Sequence, residues 1–327
     1  MLVLNHADVH RALSPEACAQ AMREVLVARA RGETHMPLRT IMSPPGAAGL
    51  MGLMPTWRGA DAGSTAAFAV KIVCLMPGNP GRGLDAHQGL VALFDGETGT
   101  AEAILDTSAI TEIRTAAVTA VATDVLARPD AKVLTILGAG VQARSHLRAM
   151  LDRRPYEEVR IYSPTPAHVQ AVIDDLDGRD ARACASAEEA VRGADVVVAV
   201  TNSRTPVLER GWLSPGAHVN AVGASQPSAL EIDARTFADA AVFADSRESV
   251  RNEAGEYRAA VEQNLIEGEE HVRAELGEVL AGLHPGRQDD SEVTLFRSLG
   301  LAIQDLAAAR SAVGQARRLG IGQEVQW

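Results

Sequence analysis

The chain has 327 residues, 46% of them hydrophobic, and its 31 Lys and Arg against 42 Asp and Glu give a formal net charge of −11. That acidic balance, without a basic stripe or an aromatic platform, argues against a nucleic-acid partner, and no apolar run reaches the roughly 18 residues that span a bilayer. Cys18, Cys74 and Cys184 are odd in number and scattered, so neither a disulfide framework nor a cysteine metal set is expected; with no leader pattern in MLVLNHADVHRAL, the expected setting is a reducing cytoplasm.

In chain order, residues 14–31 read as a helix, capped by Ser14, with Pro15 at its first position and Gly32 stopping it. Short apolar runs follow at 49–54, 66–76, 89–94 and 102–105, separated by turns such as PGNPGRG (77–83) and DGETG (95–99). They predict an antiparallel sheet or partial barrel. Residues 107–127, rich in Ala and Thr, predict a helix. From residue 132 the pattern alternates, with strands expected at 132–137, 158–162, 181–184, 195–200, 217–222 and 240–244. Runs such as DVVVAV suit strands covered on both faces, hence a doubly wound parallel sheet. Helical stretches are expected near 256–282. A last helix is expected from Ser298 to about 318, packed on the first domain or on a partner chain.

One stretch is more informative than the rest: KVLTILGAGVQARSHLRAM, residues 132–150. An apolar strand leads into Gly138-Ala139-Gly140, and a helix opens at Val141. Gly138 permits the tight turn, Gly140 lets a pyrophosphate approach the backbone, and the small Ala143 lets helix and strand pack closely, with free N–H groups at the helix start facing the phosphates. A bound dinucleotide is the expectation. After the second strand, in VRIYSPTP, Ser163 stands where NAD-specific sites carry an acid. Ser163 and Thr165 can hydrogen-bond a 2′-phosphate, although Pro164 follows where an Arg would help. This favours NADP(H), with NAD(H) as the alternative.

Arg39, Lys71 and Arg114 each interrupt a segment that is otherwise apolar or small, most sharply Lys71 in AFAVKIVCLM. An inward charge there requires a partner, which a substrate carboxylate would supply, and Arg forks suit carboxylates. The alternative is that these are surface cations with buried stems. In a dry cationic cluster Lys71 would have a lowered pKa. His6, His10 and His35 are read as lacking metal-ligand spacing, no metal is expected, and His146 is read as solvated.

Taken together, MPLRT (36–40), LMGLMPTW (50–57), AVKIV (69–73), GLDAHQGLVALFDGETG (83–99), TEIRTAA (111–117), GAGVQA (138–143), NAVGASQP (220–227) and FRSLGLAIQD (296–305) occur in an order and spacing that resembles the ornithine cyclodeaminase/mu-crystallin family. The resemblance implies a Rossmann-type domain (116–301) beside an N-terminal α+β substrate-binding and dimerisation domain (1–115 with the C-terminal helix 302–327). It implies a homodimer, a nicotinamide dinucleotide, and amino acids or their imines as substrates. The family's carboxylate-binding Arg, Lys and Arg fall on Arg39, Lys71 and Arg114. Arg114 and Thr115 would also meet the cofactor, as would Val141, Gln142, Thr201, Val222, Gly223, Ala224 and Ser298, with Leu299 beside the substrate.

Cyclodeaminases carry a Glu matching Gly52 and an Asp matching Ser225, and both are missing here. VGASQP instead resembles the mu-crystallin branch, which implies reduction of a small, cyclic α-imino acid such as pyrroline-2-carboxylate or piperideine-2-carboxylate. Candidate proton donors are Lys71, a water near Ser225, and His87. The other readings are ornithine cyclodeaminase, an alanine-type amino-acid dehydrogenase, and a non-catalytic binder of a carboxylate ligand.

Overall fold

The computed structural model describes residues 1–61, 63–176 and 178–326; Trp327, the end of the segment expected to join the first domain, lies outside the described residues. The chain forms two compact units, 1–117 with 300–327, and 118–299.

The first unit opens with β1 (Leu2–Leu4) and α1 (His6–Ala12), neither of them anticipated from the sequence. Asn5 caps α1, accepting from Asp8 N, and Asp8 reaches back in a capping box. Then come α2 (Pro15–Ala30), capped by Ser14 as its sequence implies, β2 (Thr34–His35), β3 (Thr40–Met42), β4 (Leu50–Arg58), β5 (Ala67–Leu75), β6 (His87–Asp95) and β7 (Ala101–Asp106). Strands β4 to β7 form the expected antiparallel meander. Pro55 lies in a stretch of β4, Met54 to Thr56, that neither β2 nor β3 pairs, so its missing N–H breaks no bond to them. α3 (Thr107–Leu126) follows.

Register explains why β5 is apolar on both faces. Lys71 pairs with Met54 and Val91 and shares their buried face, whereas Phe68, Val70 and Ile72 share the other face with Trp57, Pro55 and Leu53. Phe68 is 47% exposed.

The second unit is a parallel sheet, built from β8 (Val133–Leu137), α4 (Val141–Leu151), β9 (Glu158–Tyr162), α5 (Pro166–Asp174), β10 (Arg182–Ala183), α6 (Ala187–Val191), β11 (Val196–Ala199), β12 (His218–Ala221), α7 (Ala234–Asp239), β13 (Ala241–Ala244), α8 (Arg247–Glu253), α9 (Gly255–Glu262), β14 (Val272–Glu275), α10 (Leu276–Leu280) and β15 (Thr294–Arg297). The strand order is β10-β9-β8-β11-β12-β15-β13-β14, every pair parallel. This is the doubly wound sheet that the alternation implies, with the dinucleotide turn at the carboxyl end of its first strand. Leu137, Val197, Val219, Val242, Leu295 and Phe237 form the buried core on one face.

The helical stretches expected near 256–282 are α9 and α10, with β14 between them. Two expectations need correction here. The last helix does not begin at Ser298: Thr294–Arg297 is a strand inserted between β12 and β13, and Ser298 is no helix cap. His146 is fully buried, not solvated; its ring nitrogens lie 2.7 Å from Gln142 O and 3.1 Å from Thr119 Oγ1.

The chain returns to the first unit with α11 (Ala302–Leu319) and β16 (Gln323–Glu324), which pairs with β1. α11 packs on α1, α2 and the strands β4 to β6. Among the described residues no helix is long and apolar enough to cross a membrane.

Candidate functional site

In the first unit Lys71 and Arg114 converge on one carboxylate that sequence reasoning missed, Asp305. Lys71 Nζ lies 3.3 Å and Arg114 Nε 3.0 Å from the same oxygen, Asp305 Oδ1. Lys71 Nζ also donates to Thr111 Oγ1 at 2.6 Å, and Arg114 Nη1 to Gln304 Oε1 at 3.3 Å. All three charged side chains are at most 6% exposed. Asp305 sits in the first turn of α11, where the helix dipole favours a negative charge. Gln304 serves two purposes, because its Oε1 also accepts from Leu301 N and so closes the helix start that Ser298 was expected to cap.

Arg39, on the loop before β3, donates from Nη2 to Gly300 O at 2.9 Å. Gly300 has φ +77°, and a Cβ there would come 2.8 Å from Arg114 Nη2. The glycine therefore lets the backbone turn close beneath one guanidinium while its carbonyl holds the other. Two cations thus share a single buried carboxylate, with Arg39 near enough to act on Lys71, and among the described residues the carboxylate's second oxygen, Oδ2, meets no hydrogen-bond partner.

Burial lowers the Lys71 pKa to about 8, with Asp305 opposing that shift and Arg114 adding to it. Partial burial, then Lys71 and Arg114, push the His87 imidazole below its ordinary range, against a smaller upward pull from Asp85. His87 begins β6 and its carbonyl accepts from Ser108 Oγ. Cys18, buried under the same cluster, has its thiol pushed up to about 12 by burial and is no nucleophile.

In the second unit Gly138 takes φ +121°, and its N–H donates to Tyr162 O at 2.8 Å, closing the turn after β8. Gly140 is the N-cap of α4, Ala143 is fully buried against the sheet, Val141 is 52% exposed, and Gln142 Oε1 is buried without a hydrogen-bond partner. Ser163 follows β9 and Thr165 caps α5, with no acidic side chain between them.

The carboxyl ends of the next strands are held by groups not foreseen from the sequence. Glu231, fully enclosed, accepts from the backbone N–H of Thr201, from Val222 at 3.2 Å and from Gly223 at 2.6 Å. Arg297 donates from Nη1 to Ala221 O at 3.0 Å, and from Nη2 to Ala224 O, and pairs with Glu256; neither ion has any exposure. These two residues set the course of 221–224, leaving Ser225 exposed beyond it. Ser298 N donates to Ala221 O and Leu299 N to Asp245 Oδ2, and the Ser298 hydroxyl is buried without a partner. The Thr115 hydroxyl, in the first unit, donates to Thr111 O.

The turn at Gly138, the helix start at Val141 and the orphaned polar atoms of Gln142 and Ser298 fit a dinucleotide lying along the carboxyl edge of the sheet. A parallel sheet of this order, with a glycine turn at the end of its first strand, defines the class of dinucleotide-binding α/β proteins.

Comparison with known proteins narrows that class. The ornithine cyclodeaminase/mu-crystallin family model matches residues 1–318, and the chain belongs to this family. It is 38% identical to the ketimine reductase mu-crystallin of Mus musculus over 279 residues, 85% of this chain and 84% of that protein. The structure of Thermococcus litoralis Delta(1)-pyrroline-2-carboxylate reductase, in complex with NADH and L-proline, matches with TM-score 0.94 and 34% identity, covering 99% of this chain and 100% of that one. An archaeal alanine dehydrogenase dimer with bound NAD matches with TM-score 0.92 and 32% identity, covering 100% and 99%.

Proposed function

We propose that this chain reduces the C=N bond of a small α-imino acid, a cyclic ketimine such as pyrroline-2-carboxylate or piperideine-2-carboxylate, to the L-amino acid, with NADPH preferred over NADH. The observation that carries this reading is the charge imbalance at Asp305, whose one carboxylate is shared by the buried Lys71 and Arg114. A bound carboxylate balances it, and Arg114 and Arg39 can hold that carboxylate through paired N–H donors.

Residues 138–142, 163–165, 201, 222–224 and 298 would hold the nicotinamide dinucleotide, which would supply a hydride. The residues of the chain do the rest. Arg39 and Arg114 orient the acid group. Lys71, protonated below about pH 8, delivers a proton from Nζ to the imine nitrogen. His87, with its pKa held down, is neutral at pH 7 and a poorer proton source. Gly52, paired with Ile41 and Val73 in the sheet, places no carboxylate at the position where ring-closing deamination needs one.

The chain works as a homodimer in this reading. Leu53, Trp57, Phe68, Val70 and Ile72 line a sheet face whose apolar character a second copy would cover. A Phe68→Lys variant that stays dimeric in light scattering would remove that assignment.

The deciding measurement is oxidation of NADPH and NADH by cyclic and acyclic imino acids. Stoichiometric oxidation with a cyclic ketimine is expected, faster with NADPH. Ammonia released from L-ornithine without net cofactor turnover would make the chain a cyclodeaminase. Oxidation that requires free ammonia and an open-chain keto acid would make it an alanine-type dehydrogenase.

A further inference from the structure

Away from the cation cluster, the short first helix carries a second group of chemistry-bearing side chains. His6 and His10 are four residues apart on α1 and so lie on one face; their rings are 4.7 Å apart, centroid to centroid. The sequence reading of these histidines as lacking ligand spacing did not include α1, which brings them together. Glu112, on α3, completes the group: a ligating atom from each of His6, His10 and Glu112 lies within 4.8 Å of the other two.

We propose that His6, His10 and Glu112 bind one divalent ion of the zinc class, joining α1 to α3. His10 Nε2 and Glu112 Oε2 are 3.4 Å apart. That is close to the roughly 3.3 Å edge of a tetrahedron with bonds of about 2.0–2.1 Å. Asp106 lies 3.1 Å from His6 Nδ1 and also accepts from Ala109 N at 2.8 Å, at the start of α3. In this proposal Asp106 holds the His6 ring at Nδ1 and Nε2 is the ligand atom, the carboxylate–histidine arrangement that orients ligands at protein metal sites. Two imidazoles and one carboxylate suit Zn²⁺, Co²⁺ or Ni²⁺ better than Mg²⁺ or Ca²⁺, which take oxygen ligands. His6 and His10 are 50% and 36% exposed, so an ion can enter from solution and keep water at its fourth position. None of these side chains belongs to the cation cluster or the dinucleotide turn, so this inference does not rest on the proposed activity.

The test uses untagged, chelator-treated full-length protein titrated with ZnCl₂ by calorimetry, and with CoCl₂ by absorption. One saturable equivalent is expected, with a Co²⁺ spectrum free of thiolate charge transfer and a melting temperature raised by a few degrees. His6→Gln/His10→Gln should weaken binding at least tenfold and abolish the thermal shift. Glu112→Gln, which keeps both histidines, should weaken it less. Absence of a saturable equivalent would overturn the proposal, as would uptake unchanged in the double histidine variant.

Discussion

Each unit buries an ion cluster, and the two are built differently. In the dinucleotide unit Arg297 meets one carboxylate, Glu256, both fully enclosed, and its remaining donors go to backbone carbonyls at Ala221, Ala224 and Ser298. Charge is balanced, and the pair holds a backbone segment in place. In the other unit Lys71 and Arg114 share a single oxygen of Asp305, with Arg39 close by. There the balance is short by at least one negative charge, which a buried site does not keep without use. In the proposed function the unbalanced cluster receives the ligand's carboxylate, while the matched pair holds the backbone of 221–224.

The comparison is broken most directly at Arg297. Arg297→Ala leaves Glu256 buried and uncompensated and should lower stability by about 3–5 kcal/mol, read as a shifted denaturant midpoint. Imino acid should not restore it. Arg114→Ala should do the reverse: Asp305 keeps Lys71, so folding changes little, while kcat/KM falls by about 10²–10³-fold through lost carboxylate binding. If Arg114→Ala unfolds the chain and Arg297→Ala leaves it stable, the two clusters have been assigned the wrong way round.

Asp305→Asn sharpens the contrast. Without the carboxylate, Lys71 and Arg114 repel, and Lys71 can relieve this by losing its proton. A loss of about 1–3 kcal/mol is expected. A carboxylate ligand such as L-proline should stabilise this variant more than the parent, because it supplies the missing charge. Glu256→Gln should show no such recovery. Equal ligand-induced shifts in melting temperature for Asp305→Asn and the parent would refute the charge-deficit view.

What could be read in the sequence follows from how local each feature is. The turn at Gly138 needs only a strand, two glycines and a helix in succession, so 132–150 was legible. Lys71 stood out because it interrupts an apolar strand. Its partner did not, since Asp305 lies 234 positions away and only the fold brings them together. β15 was missed because four residues carry little period, and Ser298 then looked like a cap; the true cap is a side chain from inside the helix, Gln304. His146 could have been placed. It follows Ala143 and precedes Leu147 and Met150 at helical spacing, all of them buried, which puts it on the packed face.

The smallest expected effect is the pH response of Lys71. Its pKa in the folded chain is about 8, against an ordinary value of 10.5. If Lys71 delivers the proton, kcat/KM should fall about tenfold for each pH unit above 8, some 1.4 kcal/mol per unit. Stability should move the opposite way. Between about pH 8 and 10.5 the unfolded chain holds a proton that the folded chain has released, so this group's contribution to folding grows as pH rises. Lys71→Met should remove that alkaline gain. An alkaline stability profile identical in the parent and Lys71→Met would mean that Lys71 keeps its proton throughout, and the proton for the imine nitrogen would then have to come from elsewhere.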